Sequence, residues 1–270
     1  MTGDLPTARP ELASDAARPE PEANEHYGFE LITVLGVSLG MSGVYALLSL
    51  IHSELTVPGG ISHATATVVA GAQTQHAWLD FAYNLAGIAN GIFPPLLALV
   101  LLARRPGGPG FGVGFDVRRI GQETAQGVGF LALIGIPGLG LVWAAHSLGI
   151  NASLNVVSFP DVWYRIPYLL LSAFQNGFAE EIIVVAYMLT RLRQLGWSRS
   201  PALFASATLR GSYHLYQGFG GFAGNFVMGL IFGWWFQRTR RVVPLVIAHF
   251  LLDAFSFIGY LYLHDHVSWI

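Results

Sequence analysis

Apolar residues in this chain neither alternate nor keep to one stripe of a helix; from about residue 30 onward they run nearly unbroken for 18 to 27 positions at a time. A helix needs about 20 such residues to cross roughly 30 Å of hydrocarbon. Seven segments qualify: 30–52, 80–103, 124–147, 164–190, 199–216, 218–237 and 242–264. The stretches 53–78 and 150–162 are moderately apolar, and a re-entrant segment in either would make the count eight. The pattern predicts an all-α, polytopic transmembrane bundle. Pro94 and Pro95 should kink the second span, with neighbours satisfying the freed carbonyls. Gly36, Gly40, Gly218, Gly220, Gly221 and Gly224 suit close helix packing, and Asn84 and Asn90 suit interhelical hydrogen bonds.

Composition supports that pattern. The 270 residues are 53% apolar and 11% charged, with mean hydropathy +0.51. A water-facing shell normally carries about a quarter charged residues. An ordinary soluble enzyme, a nucleic-acid binder and a disordered adaptor are thereby excluded. With no cysteine there is no disulfide, thiolate metal site or cysteine nucleophile.

Residues 1–27 hold four prolines and six acidic groups with few large apolar ones. They should form a disordered tail, and they lack the basic and apolar regions of a signal peptide. Three units follow: N-terminal helices at 28–160, a core at 161–264 and a short tail at 265–270. All 14 basic residues are arginine, a bias expected of a GC-rich bacterial genome. They cluster at Arg104, Arg105, Arg118 and Arg119, at Arg191, Arg193 and Arg199, and at Arg238, Arg240 and Arg241. Basic residues gather in cytoplasmic loops, so these clusters and the tail (Arg9, Arg18) predict a cytoplasmic N-terminus in a bacterial plasma membrane.

Six ionisable residues interrupt the later spans: Glu180, Glu181, Arg210, His214, His249 and Asp253. An isolated ion there costs at least ~2.5 kcal/mol, so such residues converge on one another or on a wet cavity, and they are functional candidates. Counted from the arginines at ~1.5 Å per residue, Glu181, His249 and Asp253 lie roughly 12 to 18 Å deep and His214 nearer 22 Å, so one pocket can hold them all. His249 and Asp253 share a helix face, as do Arg210 and His214. Glu180 and Glu181 point about 100° apart and should not reach one target. One should do chemistry while the other supports it. Carboxylates beside histidines in a low dielectric are the arrangement acid–base catalysts exploit.

Glu180-Glu181 on one span, His214 ending a later one, and His249-Phe-Leu-Leu-Asp253 on the last resemble the three motifs of the CPBP (Abi) family, which includes type II CAAX prenyl proteases and bacteriocin-processing membrane proteins. Phe232-Gly233-Trp234-Trp235, the turn at Arg238 to Arg240, and Pro244 fit the same layout. The resemblance covers Glu180 to Asp253 and implies an intramembrane endopeptidase working on membrane-associated peptides near the cytoplasmic leaflet. It implies Glu180 as the base that activates water, with His214 positioning that water or sharing its proton. His249 and Asp253 would serve the oxyanion side or hold a histidine tautomer, and Glu181 would support. Its implied partners are membrane lipid and a peptide or protein substrate, with no nucleic acid and no cofactor.

Two departures from the family pattern matter. The arginine usual in the first motif is replaced by Val185, and the phenylalanine usual in the second by Arg210. The expectation is that the arginine has changed helices and Arg210 pairs with Glu181 across the pocket. Three other readings compete. A zinc protease would bind its metal through Glu180, His214 and His249. A proton-coupled transporter would show internal repeats, and none is visible in the sequence. A non-enzymatic scaffold or immunity protein would not need Glu180.

Overall fold

The computed structural model describes residues 21–71, 76–103, 114, 117–264 and 266. The expected tail therefore lies largely outside the described residues, as do Arg104, Arg105 and most of 265–270. Residues 21–27, expected to be disordered, are helical and open α1 (Pro21–Gly36). The sequence reading missed what anchors this helix. Glu30 accepts from Arg191 Nε at 2.7 Å and from the Tyr187 hydroxyl at 2.7 Å, and the Tyr27 ring lies 4.9 Å from the Arg191 guanidinium.

Helix α2 (Leu39–Thr56) follows after a 51° bend. Gly36 sits at that bend, where a Cβ would meet nothing within 4 Å, so it marks the break and not the close packing expected of it. The next long helices are α3 (Ala77–Ala103), which carries Pro94 and Pro95, and α4 (Ile120–Ser147). The central helix begins as α5 (Arg165–Glu180), widens into a π-helical segment (Glu181–Tyr187) and ends as α6 (Met188–Gln194). Then come α7 (Arg199–Ser212), α8 (Phe219–Thr239) and α9 (Val243–Leu263).

Five of these elements are long and apolar enough to cross a membrane: α3, α4, the continuous Arg165–Gln194 helix, α8 and α9. The bent α1–α2 pair makes a sixth if taken as one span. The expected span at 199–216 is helical only to Ser212. Its 14 residues reach about 21 Å, short of a full crossing.

The intervening apolar stretches are not re-entrant helices. Residues Thr65–Ala70 (β1) and Ser153–Ser158 (β2) pair in parallel, with Thr65 opposite Ser153 and Val69 opposite Val157. Their β-branched and small residues pack on Tyr164, Leu169, Ala173 and Phe257 of α5 and α9 and the loop before α5. Beside them Trp78, Phe81, Trp163 and Tyr164 form a ring cluster, with Trp78 and Trp163 largely exposed. Exposed tryptophans at one level are the usual mark of a membrane–water boundary.

Contacts define the opposite end. Arg191 Nη2 donates to Leu101 O of α3 at 2.9 Å, Gln237 to Arg199 O at 2.9 Å, Arg240 to Thr190 at 3.2 Å, and Arg241 to Glu123. The bundle thus has an arginine end and a sheet end. The helix between them is largely covered by the others, whereas α4 is largely exposed. It provides the largest core cluster, from Phe178 to Leu192, with Phe232 and Phe236 of α8 and Leu245 and Ala248 of α9 around it.

Candidate active site

Four elements meet midway between the two ends. Helix α5 approaches α9 closely because residue 177 is glycine: a Cβ there would stand 2.9 Å from Phe250 N and 3.3 Å from His249 Cβ. One turn later Glu180 faces His249. Glu181 follows as the first residue of the π-helical segment, a wider coil that often marks functional positions. Ser206 of α7 donates to Val184 O of that segment at 2.8 Å, which fixes α7 against it.

The six residues singled out from sequence come together. Arg210 Nη2 donates to Glu181 Oε1 at 2.5 Å, and neither side chain is exposed, so the expected pairing across helices is present. His249 Nδ1 lies 2.7 Å from the same Oε1. His249 Nε2 lies 4.0 Å from Glu180 Oε2 and 3.8 Å from Asp253 Oδ1, and His214 Nε2 lies 3.9 Å from Glu180 Oε1.

The geometry alters two expectations. Both glutamates face His249, Glu181 bonded to one ring nitrogen and Glu180 4.0 Å from the other, because an imidazole is broad enough to stand between two carboxylates that leave the helix in different directions. Further, the residue at hydrogen-bonding distance from His249 Nδ1 is Glu181; Asp253 stands too far from the ring for a hydrogen bond. Glu181 therefore orients this ring and fixes which nitrogen faces the pocket.

Two members of the site escaped the sequence reading. The Tyr213 hydroxyl donates to Glu180 Oε2 at 2.7 Å, and Asn176 donates weakly to Asp253 Oδ2 at 3.4 Å. Asn176 lies four residues before Glu180, on the same helix face, which was a usable signal. Tyr213 had none beyond its place next to His214.

His214 is carried by the turn after α7, where Leu215–Gln217 form a short 3₁₀ helix and Gly218 takes φ +107°, a conformation that favours glycine. Asn151 ties that turn to the sheet end: its side chain accepts from Gly220 N at 2.8 Å, and the chain around it bridges Gly218. Gly220 and Gly224 pack closely on Ala145 and Leu141 of α4, as expected of them. Both ring nitrogens of His214 are buried and have no hydrogen-bond partner among the described residues, which leaves them available to a water or a substrate.

The site is acidic, with three carboxylates on one guanidinium and two imidazoles. It can hold a water molecule against Glu180 and present hydrogen-bond donors to a reacting carbonyl. Zinc would need its ligands about 2.0 to 2.2 Å from one point. Among the described residues no group of three His, Asp or Glu is arranged to hold a metal ion.

No curated protein and no solved structure matches the chain. One family model does, over a segment that begins in the loop before α5 and ends in the middle of α9, so it takes in every residue of the site, while residues 1–161 lie outside it. It is described as Type II CAAX prenyl endopeptidase Rce1-like, and residues 162–255 are a domain of that CAAX protease family.

Proposed function

We propose that the protein is an intramembrane endopeptidase in which Glu180 activates water without a metal. The observation that carries this reading is the convergence of Glu180 with His214 Nε2 and His249 Nε2, at 3.9 and 4.0 Å, within the bundle. These gaps exceed a hydrogen bond but suit one water touching all three groups.

In the reaction Glu180 takes a proton from water as the oxygen bonds to the scissile carbonyl carbon. His214 holds that water on the other side of the Glu180 carboxylate from Tyr213. His249 in its charged form donates one N–H to Glu181 and the other to the developing oxyanion, a preorganised donor of the kind that contributes most to such barriers. The C–N bond then breaks and Glu180 returns its proton to the leaving amine. Asp253 Oδ1 stands 3.8 Å from the same His249 Nε2, where an anion would oppose the oxyanion, so in this reading Asp253 acts as the neutral acid. Arg210 neutralises Glu181 and keeps it in place.

The arginine clusters favour a cytoplasmic arginine end and N-terminus, by the positive-inside rule. The substrate is a peptide bond of a membrane-associated protein or peptide, a prenylated tail in the family's named activity or a bacterial precursor peptide. The test is cleavage of candidate peptides in detergent by wild type and Glu180→Gln. Cleavage retained by the variant would overturn the assignment. Stoichiometric zinc that survives chelation, with activity lost on its removal, would replace the metal-free mechanism.

A further inference from the structure

In a parallel strand every second residue turns its N–H and C=O toward the neighbouring strand, and the residues between turn theirs away. Ser153 faces β1, its N–H donating to Ala64 O at 3.0 Å, and Asn155 and Val157 follow in phase. Ile150 and Ala152 face the other way and are paired there. Ala152 N–H donates to Gln217 O, and Ile150 O accepts from Phe219 N–H, each at 3.0 Å. Leu154, Val156 and Ser158 continue this outward row. Among the described residues their outward groups have no hydrogen-bond partner.

The open row starts at the site. Upstream of Gln217 the chain leaves the edge of β2 in the Leu215–Gln217 turn, whose preceding residue is His214. Leu154 packs on the same small core, Leu50, Ile61, Ala66 and Ala152, as Leu215 and Tyr216 of that turn. Asn155 accepts from the Tyr260 hydroxyl at 3.3 Å, and Tyr260 lies two turns along α9 from Asp253. Strand pairing thus stops where the turn after His214 begins, and it leaves an edge without a strand partner, half-buried at Leu154 and Ser158 and buried at Val156. Unpaired edges of this kind accept further strands, which is why proteins otherwise blunt them.

We propose that the substrate binds by strand addition, an extended segment next to the scissile bond pairing with the outward edge of β2 at Leu154 to Ser158. This inference rests on the proteolytic reading above, and it brings the substrate in from the sheet end, opposite the arginine end, and not from the cytoplasmic leaflet expected from the sequence. The partner it specifies is peptide backbone, so affinity comes from main-chain hydrogen bonds and only alternate side chains are inspected. It also answers a chemical need. A helical segment ties up each carbonyl within itself, whereas an extended one presents its scissile amide to Glu180.

An eight-residue quenched fluorescent peptide library, offered to wild type and Glu180→Gln in detergent, identifies a cleaved sequence. That peptide is remade with a single N-methyl group at each position in turn. KM should rise about fivefold to tenfold at alternate positions on one side of the scissile bond, the loss of one hydrogen bond each, and stay level at those between. A rise without alternation, or none, overturns strand addition and leaves the protease. Failure of wild type to cleave any peptide overturns both. Val156→Pro removes one outward N–H without touching the row that faces β1 and should raise KM with kcat retained. Because that variant can disturb the sheet, the N-methyl series on wild type decides.

Discussion

At the arginine end two carboxylates, Glu123 buried and Glu30 partly exposed, each have a guanidinium of their own: Glu123 meets Arg241 and Glu30 meets Arg191. At mid-height three carboxylates share Arg210 and two histidines. The first arrangement locks helix ends together and leaves no acid–base capacity over. The second keeps Glu180 held by a phenol and facing two imidazoles, the surroundings the proposed general base needs. Buried charge alone therefore does not mark a site in this bundle. What distinguishes the site is excess carboxylate over fixed cation, together with imidazoles that can exchange protons.

Removing Glu180 should break the contrast most. Glu180→Gln should lower peptide cleavage by about a thousandfold, within the range for a general base, with the thermal unfolding profile retained. Arg210→Phe comes next, because it strands Glu181 without its cation. A loss of about 3 to 5 kcal/mol of stability is expected, read as a fall in folded protein on size-exclusion chromatography. Adding Val185→Arg should recover part of it, and no recovery would end the idea that the cation has changed helices. Tyr213→Phe should lower kcat about tenfold with KM nearly level, since it removes a hydrogen bond to a charged group and leaves the packing. An equal loss in the yield of folded protein would make Tyr213 merely structural. The smallest effect belongs to Glu30→Gln, in a partly exposed pair: about 1 kcal/mol or less of stability, and no change in cleavage rate. A cleavage defect there would erase the distinction between the two ends.

Much of the site was legible in the sequence. Glu180, Glu181, Arg210, His214, His249 and Asp253 stand out because ions are rare within apolar spans, and even the Arg210–Glu181 pair followed from an arginine missing at Val185. Tyr213 and Asn176 stayed hidden because tyrosine and asparagine are ordinary residues in membrane helices. Glu30 and Glu123 stayed hidden because they lie at the margins of apolar runs, where a carboxylate needs no explanation. The role of Glu181 toward His249 was also out of reach, since it depends on side-chain direction at a helix that changes from α to π.

What the sequence determined by itself was solvent and segment: long charge-free runs must leave water, and the few ions inside them must find each other. Tertiary structure decided that residues 65–70 and 153–158 are paired strands, that α7 stops short of a span, and which nitrogen of His249 faces the pocket. Hydrophobic burial depends on composition over some twenty residues and survives in one dimension. Strand pairing and hydrogen-bond direction depend on atoms far apart in the chain, here 88 residues between Thr65 and Ser153, and nothing local records them.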